Sequence, residues 1–162
     1  MNIKVLVPTG ALGITYCKKA LDRGLKEKPD IIVVDGGSTD SGPAYLGKGK
    51  SKYSRSSTKS EWKTLMVARE KLKIPLLIGS AGTCGTDKTV DWFLEITKEL
   101  AKELNQNIKI TLLKCSQSKK NINKAFLSKN LSPLNNAPKI SSKKIINCTN
   151  TVSYTHLRAH ET

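Results

Sequence analysis

Four short, predominantly apolar runs divide the chain: IKVLV at residues 3–7, IIVV at 31–34, PLLI at 75–78 and IKITLL at 108–113. Apolar residues on successive positions suit strands buried on both faces, as in a parallel sheet; strict alternation would mark a strand wetted on one side. Helical patterns lie between the runs. The first spans about 14–23, with Gly24 placed to end it and Pro29 just beyond. The second opens on Thr58-Lys59-Ser60-Glu61, which reads as a capping box, and carries Trp62, Leu65, Met66 and Leu72 along one side. The third sets Val90, Phe93, Leu94, Thr97, Leu100, Ala101 and Leu104 at helical spacing on one face. Strand, helix, strand, helix is the pattern of an α/β domain. The expected architecture is a three-layer, Rossmann-like open sheet, mostly parallel and incomplete at the C-terminus. Trp62 and Phe93 read as core residues. Past residue 113 the pattern weakens to a lysine-rich helix near 118–128, a loop over 131–139 and the start of another helix over 141–150.

The chain has 162 residues, enough for one domain with a real core. No apolar run is long enough to span a membrane, and the start is too short for a signal peptide. The expectation is a cytoplasmic protein without a membrane partner. Cys17, Cys84, Cys115 and Cys148 form no CxxC pair, which argues against a zinc site and a disulfide framework. No metal site and no particular cofactor is implied. The formal charge is +15, almost all of it lysine, with Arg23, Arg55, Arg69 and Arg158 the arginines and aromatics only 5%. Specific nucleic-acid recognition uses arginine forks and stacking aromatics, so a solvated lysine face is the reading and no nucleic-acid partner is expected.

The last eleven residues, VSYTHLRAHET, read unlike the rest and hold both histidines, His156 and His160. The string resembles one reading frame of a transposon-end adapter used to prepare DNA for sequencing. That resemblance implies a division into 1–151, an N-terminal fragment of a longer natural protein, and 152–162, a non-native tail to be left out of fold reasoning. Residues 1–151 contain no histidine, which removes histidine-based catalysis from that part.

In a parallel sheet all strands end on one rim, and ligands of open α/β folds bind outside those carboxyl ends. Three of the four apolar runs are followed there by glycine-rich polar loops. The first holds Gly10 and Gly13. The second runs Asp35, Gly36, Gly37, Ser38, Thr39, Asp40, Ser41, Gly42. The third holds Gly79, Ser80, Gly82, Thr83, Cys84 and Gly85. Glycine permits positive φ and close approach, and exposed N–H groups at such turns gather anions. Neither a Walker nor a GxGxxG fingerprint is present, and βα loops use glycine and hydroxyl caps for their own closure too. From Asp35 to Ser57 no regular structure is expected, and loops of that length tend to be functional or disordered. Asp35, with Asp40, can act as acid or base, hold a cation, or cap its own loop; a carboxylate pair alone leaves these open. The loop continues into Lys48, Lys50, Lys52, Tyr53 and Arg55, a basic arm able to meet a carboxylate or a phosphate of coenzyme A. Cys84 near a helix start can have a lowered pKa, but a small buried cysteine is the simpler role.

Within these loops VLVPTGALG, DGGSTDSGPAYLGKGKSKYSR and LLIGSAGTCGTDKTVDW resemble the N-terminal core of the acyclic terpene utilisation (AtuA-like) family. The likeness covers most of residues 3–115. It implies a cytoplasmic bacterial catabolic protein of a pathway that runs through acyl-CoA intermediates; it carries over the motif residues without catalytic roles. The expectation is therefore an enzyme fragment binding a small acidic or CoA-linked ligand at the rim, with the reaction open. The alternative is a non-catalytic nucleotide- or acyl-CoA-binding subunit acting with a partner. Self-association or a small partner subunit stays open.

Overall fold

The computed structural model describes residues 2–37 and 43–132 of the chain. In order these form β1 (Val5–Leu6), α1 (Lys18–Lys26), β2 (Ile31–Asp35), α2 (Pro43–Lys48), α3 (Arg55–Leu72), β3 (Leu76–Gly79), α4 (Asp87–Glu103) and α5 (Lys119–Leu127). The strands make one parallel sheet in the order β1-β2-β3, with Leu6 beside Ile32, Ile32 beside Leu76 and Asp35 beside Gly79. The chain is thus α/β. The helix expected over 141–150, nearly all of the 131–139 loop and the 152–162 tail lie outside the described residues.

Strand alternation decides where the core sits. On one face of the sheet Leu6, Val34, Leu76 and Ile78 cluster with Leu21 of α1, Trp62, Leu65 and Met66 of α3, and Phe93, Ile96 and Leu100 of α4, and Ile32, fully buried, stands between Leu6 and Leu76 in register. Of the face read in the sequence for α4, Phe93, Thr97 and Leu100 are buried and Val90, Ala101 and Leu104 pack on the core, whereas Leu94 is half-buried and α4 also buries Thr89 and Ile96, which lay outside that reading. Trp62 and Phe93 are core, meeting edge to face with ring centroids 4.8 Å apart. The other face of the sheet carries Val5 and Leu77, each more than half exposed, beside the half-buried Ile31 and Val33 of β2. A three-layer sandwich would cover both faces; the described helices cover one. The three strands among the described residues are also fewer than a full Rossmann fold contains. The open face gives an expectation: Leu77→Thr leaves the unfolding free energy from urea denaturation unchanged to within about 0.5 kcal/mol, because its side chain is already more than half exposed.

Local corrections follow from particular contacts. The run at 108–113 is not a strand: Ile108 packs on the core, while Ile110, Leu112 and Leu113 are exposed and unpaired with β3. Yet the Ser116 amide donates to Asp87 at the start of α4, so the segment returns alongside that helix in the direction a further parallel strand would take. The first helix begins at Lys18 because Thr15 is held at φ 72°, and it runs through Gly24 to Lys26. Gly24 is a packing residue there: a Cβ would lie 2.5 Å from the Leu6 side chain.

The long loop after β2 also contains regular structure. Pro43 opens α2, a position where its missing N–H and fixed φ are an advantage, and Gly49 follows the helix at φ 60°. The next helix, α3, starts at Arg55, with Ser54 accepting from the Ser57 amide. The Thr58–Glu61 capping box therefore does not form, and Thr58 is buried inside the helix. Arg55 and Lys59 extend that first turn by pairing with Glu99 and Glu103 of α4. Hydrogen bonds with those carboxylates raise the Arg55 and Lys59 pKa values and lower those of both glutamates.

Candidate functional site

Parallel strands bring the first two glycine loops and the third to one rim, and short backbone bonds join them. The Leu12 amide of the first loop donates to the Asp35 carbonyl at 2.8 Å. The Gly36 amide donates to the Gly79 carbonyl at 2.6 Å, and the Gly36 carbonyl accepts from the Thr83 amide at 3.1 Å. Gly36 and Gly37 are buried between these neighbours. Gly37 adopts φ 143°, and a Cβ there would fall 2.5 Å from the Thr83 hydroxyl, so the second and third loops approach at a distance only glycine allows.

The basic arm joins the same cluster through its backbone. Thr83, fully buried, accepts from the Lys52 amide at 3.0 Å. Tyr53 lies against Gly13, whose φ is 107° and where a Cβ would sit 2.5 Å from the ring. The Lys52 ammonium stands 5.6 Å from the centroid of that ring. Lys48 closes α2 and is exposed, as is Lys50, whose amide donates to the Tyr45 carbonyl at 3.4 Å.

Asp35 ends β2 at this rim, half-buried, and its Oδ1 accepts from the Gly37 amide at 3.0 Å. That bond is a local Asx-type closure of its own loop. Gly10 is exposed with open space around it. Ser80 is half-buried at φ 47°, and Gly82 is buried at φ 66°. Cys84 is buried, its thiol 3.5 Å from the Thr89 hydroxyl and 3.8 Å from that of Thr86. Gly85 donates to the Ala81 carbonyl at 3.2 Å. Ser38, Thr39, Asp40 and Ser41 lie outside the described residues. Among the described residues no group of three or more His, Cys, Asp or Glu is placed to hold a metal ion, and no helix is long and apolar enough to cross a membrane.

The amides of Gly13, Gly36, Gly37, Thr83, Cys84 and Gly85 all donate within the protein. Gly36 and Thr83 donate between loops, Gly37, Cys84 and Gly85 within their own, and Gly13 to the Glu61 carboxylate of α3. One participant carried no signal as a rim residue. Glu61, read in the sequence as a capping partner, reaches from α3 to the first loop and accepts from the Gly13 and Thr15 amides, each at 2.7 Å. Tyr16 donates to the Glu61 carbonyl at 3.0 Å. Burial pushes the Tyr16 phenol up, a hydrogen bond with Thr64 opposes this, and the Glu61 charge adds to it.

No family model, curated protein or solved structure matches this chain. What the fold and the rim define is an α/β chain with a parallel sheet whose strand-end loops are knitted into one cluster.

Proposed function

We propose that this chain is the N-terminal part of a catabolic enzyme of the acyclic terpene utilisation (AtuA-like) type, and that it binds an acidic or CoA-linked intermediate at the strand-end rim. The observation that carries this reading is the meeting of three separate crossovers around Asp35. Leu12 bonds to Asp35 itself, while Gly36 and Thr83 bond across the next two loops. Strand ends of an open parallel sheet are where such folds take ligands. In this reading Asp35 serves as acid/base or cation holder, and Lys48 and Lys50 meet the ligand's negative charge. The rim amides that donate to loop carbonyls and to the Asp35 and Glu61 carboxylates set the shape of the site.

Thermal-shift measurements with acetyl-CoA, ATP and magnesium ions test the proposal. A ligand present at a hundred times its dissociation constant stabilises the folded chain by about 2.7 kcal/mol. A rise with acetyl-CoA supports the reading, provided Lys48→Ala/Lys50→Ala weakens it. No rise with acetyl-CoA at millimolar concentration sinks it, and a rise with ATP alone points to the nucleotide-binding subunit. For chemistry, Asp35→Asn is the informative change, since an amide oxygen can still accept from Gly37. Turnover of a CoA thioester that survives Asp35→Asn would remove Asp35 from the reaction.

A further inference from the structure

The first glycine loop is held by a carboxylate. Glu61 is half-buried in α3, and its two oxygens take separate backbone amides: Oε2 accepts from Gly13 and Oε1 from Thr15, both at 2.7 Å. The loop is bent to present them. Gly13 has φ 107° and Thr15 has φ 72°. Backbone of alternating hand turns nearby N–H groups toward one concave side, the geometry of an anion nest. A β-branched residue at positive φ is a genuine outlier and persists only where its surroundings enforce it. Two further bonds clasp the loop to the same helix. The Ser57 hydroxyl donates to the Gly13 carbonyl at 3.0 Å, and the Tyr16 hydroxyl donates to the Glu61 carbonyl at 3.0 Å.

We propose that residues 13–15 form a carboxylate nest occupied from within by Glu61, which makes Glu61 the positioning residue of the first rim loop. Two amides can be met by the two oxygens of one carboxylate, and the helix supplies one at a fixed position. The nest is thereby closed to an external ligand, whose acid group must be read elsewhere on the rim. Tyr53, seated on Gly13, is held in place through the same loop. The relevance to ligand selection rests on the proposed rim site; the nest itself does not.

Amide hydrogen exchange on the full chain tests the nest without any ligand, so absence of ligand binding would overturn the functional reading alone. In Glu61→Ala the Gly13 and Thr15 amides are expected to exchange about 10- to 100-fold faster, the effect of losing a bond to a charged acceptor. The amides of Leu65 and Met66, inside α3, should keep their protection. Sodium formate should restore slow exchange at Gly13 and Thr15 in Glu61→Ala and leave the wild type unchanged; sodium chloride at equal ionic strength should not. Glu61→Gln keeps a single acceptor oxygen and decides the matter if the alanine variant does not fold: it should speed exchange at one or both of the two amides. Unchanged exchange at both amides in the folded variants would overturn the proposal, as would failure of formate to slow exchange in a folded Glu61→Ala.

Discussion

Gly36→Ala is expected to destabilise the protein by about 2–4 kcal/mol, through overpacking that no side chain can relieve. A Cβ at this position would lie 2.6 Å from the Gly79 oxygen, 2.7 Å from the Ser80 oxygen and 2.8 Å from the Ala81 Cα. All three are backbone atoms of the third loop, so relief requires the loops to part. Parting stretches the Gly36–Gly79 and Thr83–Gly36 bonds, which are the links between the second and third crossovers. For a chain of this size the expected fall in melting temperature is on the order of 10 °C. Gly10→Ala is the matched control, because nothing lies within 4 Å of the added atom. Thermal melting that is equal for the two variants would mean the second and third loops do not touch as described.

Trp62→Ala is expected to cost about 3–5 kcal/mol, measured by urea denaturation. The indole is nearly fully buried between α3 and α4, edge-on to Phe93 at 4.8 Å. Its Nε1 donates to the Thr97 hydroxyl at 3.1 Å, and that hydroxyl in turn donates to the Phe93 carbonyl at 2.9 Å. Truncation removes the largest side chain of the core and leaves a cavity between helices that rigid neighbours cannot close. Trp62→Phe separates the contributions. It keeps most of the packing and loses one hydrogen bond, so a drop of about 1 kcal/mol is expected. If Trp62→Ala unfolds at the wild-type urea concentration, the packing of α3 on α4 is not what holds the core together.

What the residues announced in advance was local. Val34 and Ile32 in an apolar run, and Phe93 and Leu100 at helical spacing, named the elements that bury them. The apolar run at 108–113 shows the limit of that logic. It has a strand's composition, but strand formation needs a partner edge, and its exposed Leu112 and Leu113 make no ladder with β3. The start of α3 was misplaced for a related reason. Thr58 and Glu61 have the spacing of a capping box, yet Ser54 caps three residues before Ser57, and the ion pairs of Arg55 and Lys59 to α4 favour the longer helix. Local spacing cannot register contacts made from the far side of a helix pair.

The candidate site was legible in part. Glycine after each of the first three apolar runs pointed to one rim, and Gly36, Gly37 and Thr83 meet there. The use of those glycines was not legible. A sequence shows that a turn tolerates close approach, not what approaches; here the neighbours are the other loops. Glu61 was hidden entirely as a rim residue, since its bonds to Gly13 and Thr15 span 48 and 46 residues.

The central claim is that separate crossovers are tied together at the strand ends. Scalar couplings transmitted through hydrogen bonds in a labelled sample test it most directly. The account predicts couplings from the Leu12 amide to the Asp35 carbonyl, from Gly36 to Gly79 and from Thr83 to Gly36, together with slow exchange at all three amides. Absence of these couplings in a folded sample, with Gly36 and Thr83 exchanging as freely as unstructured chain, would contradict it.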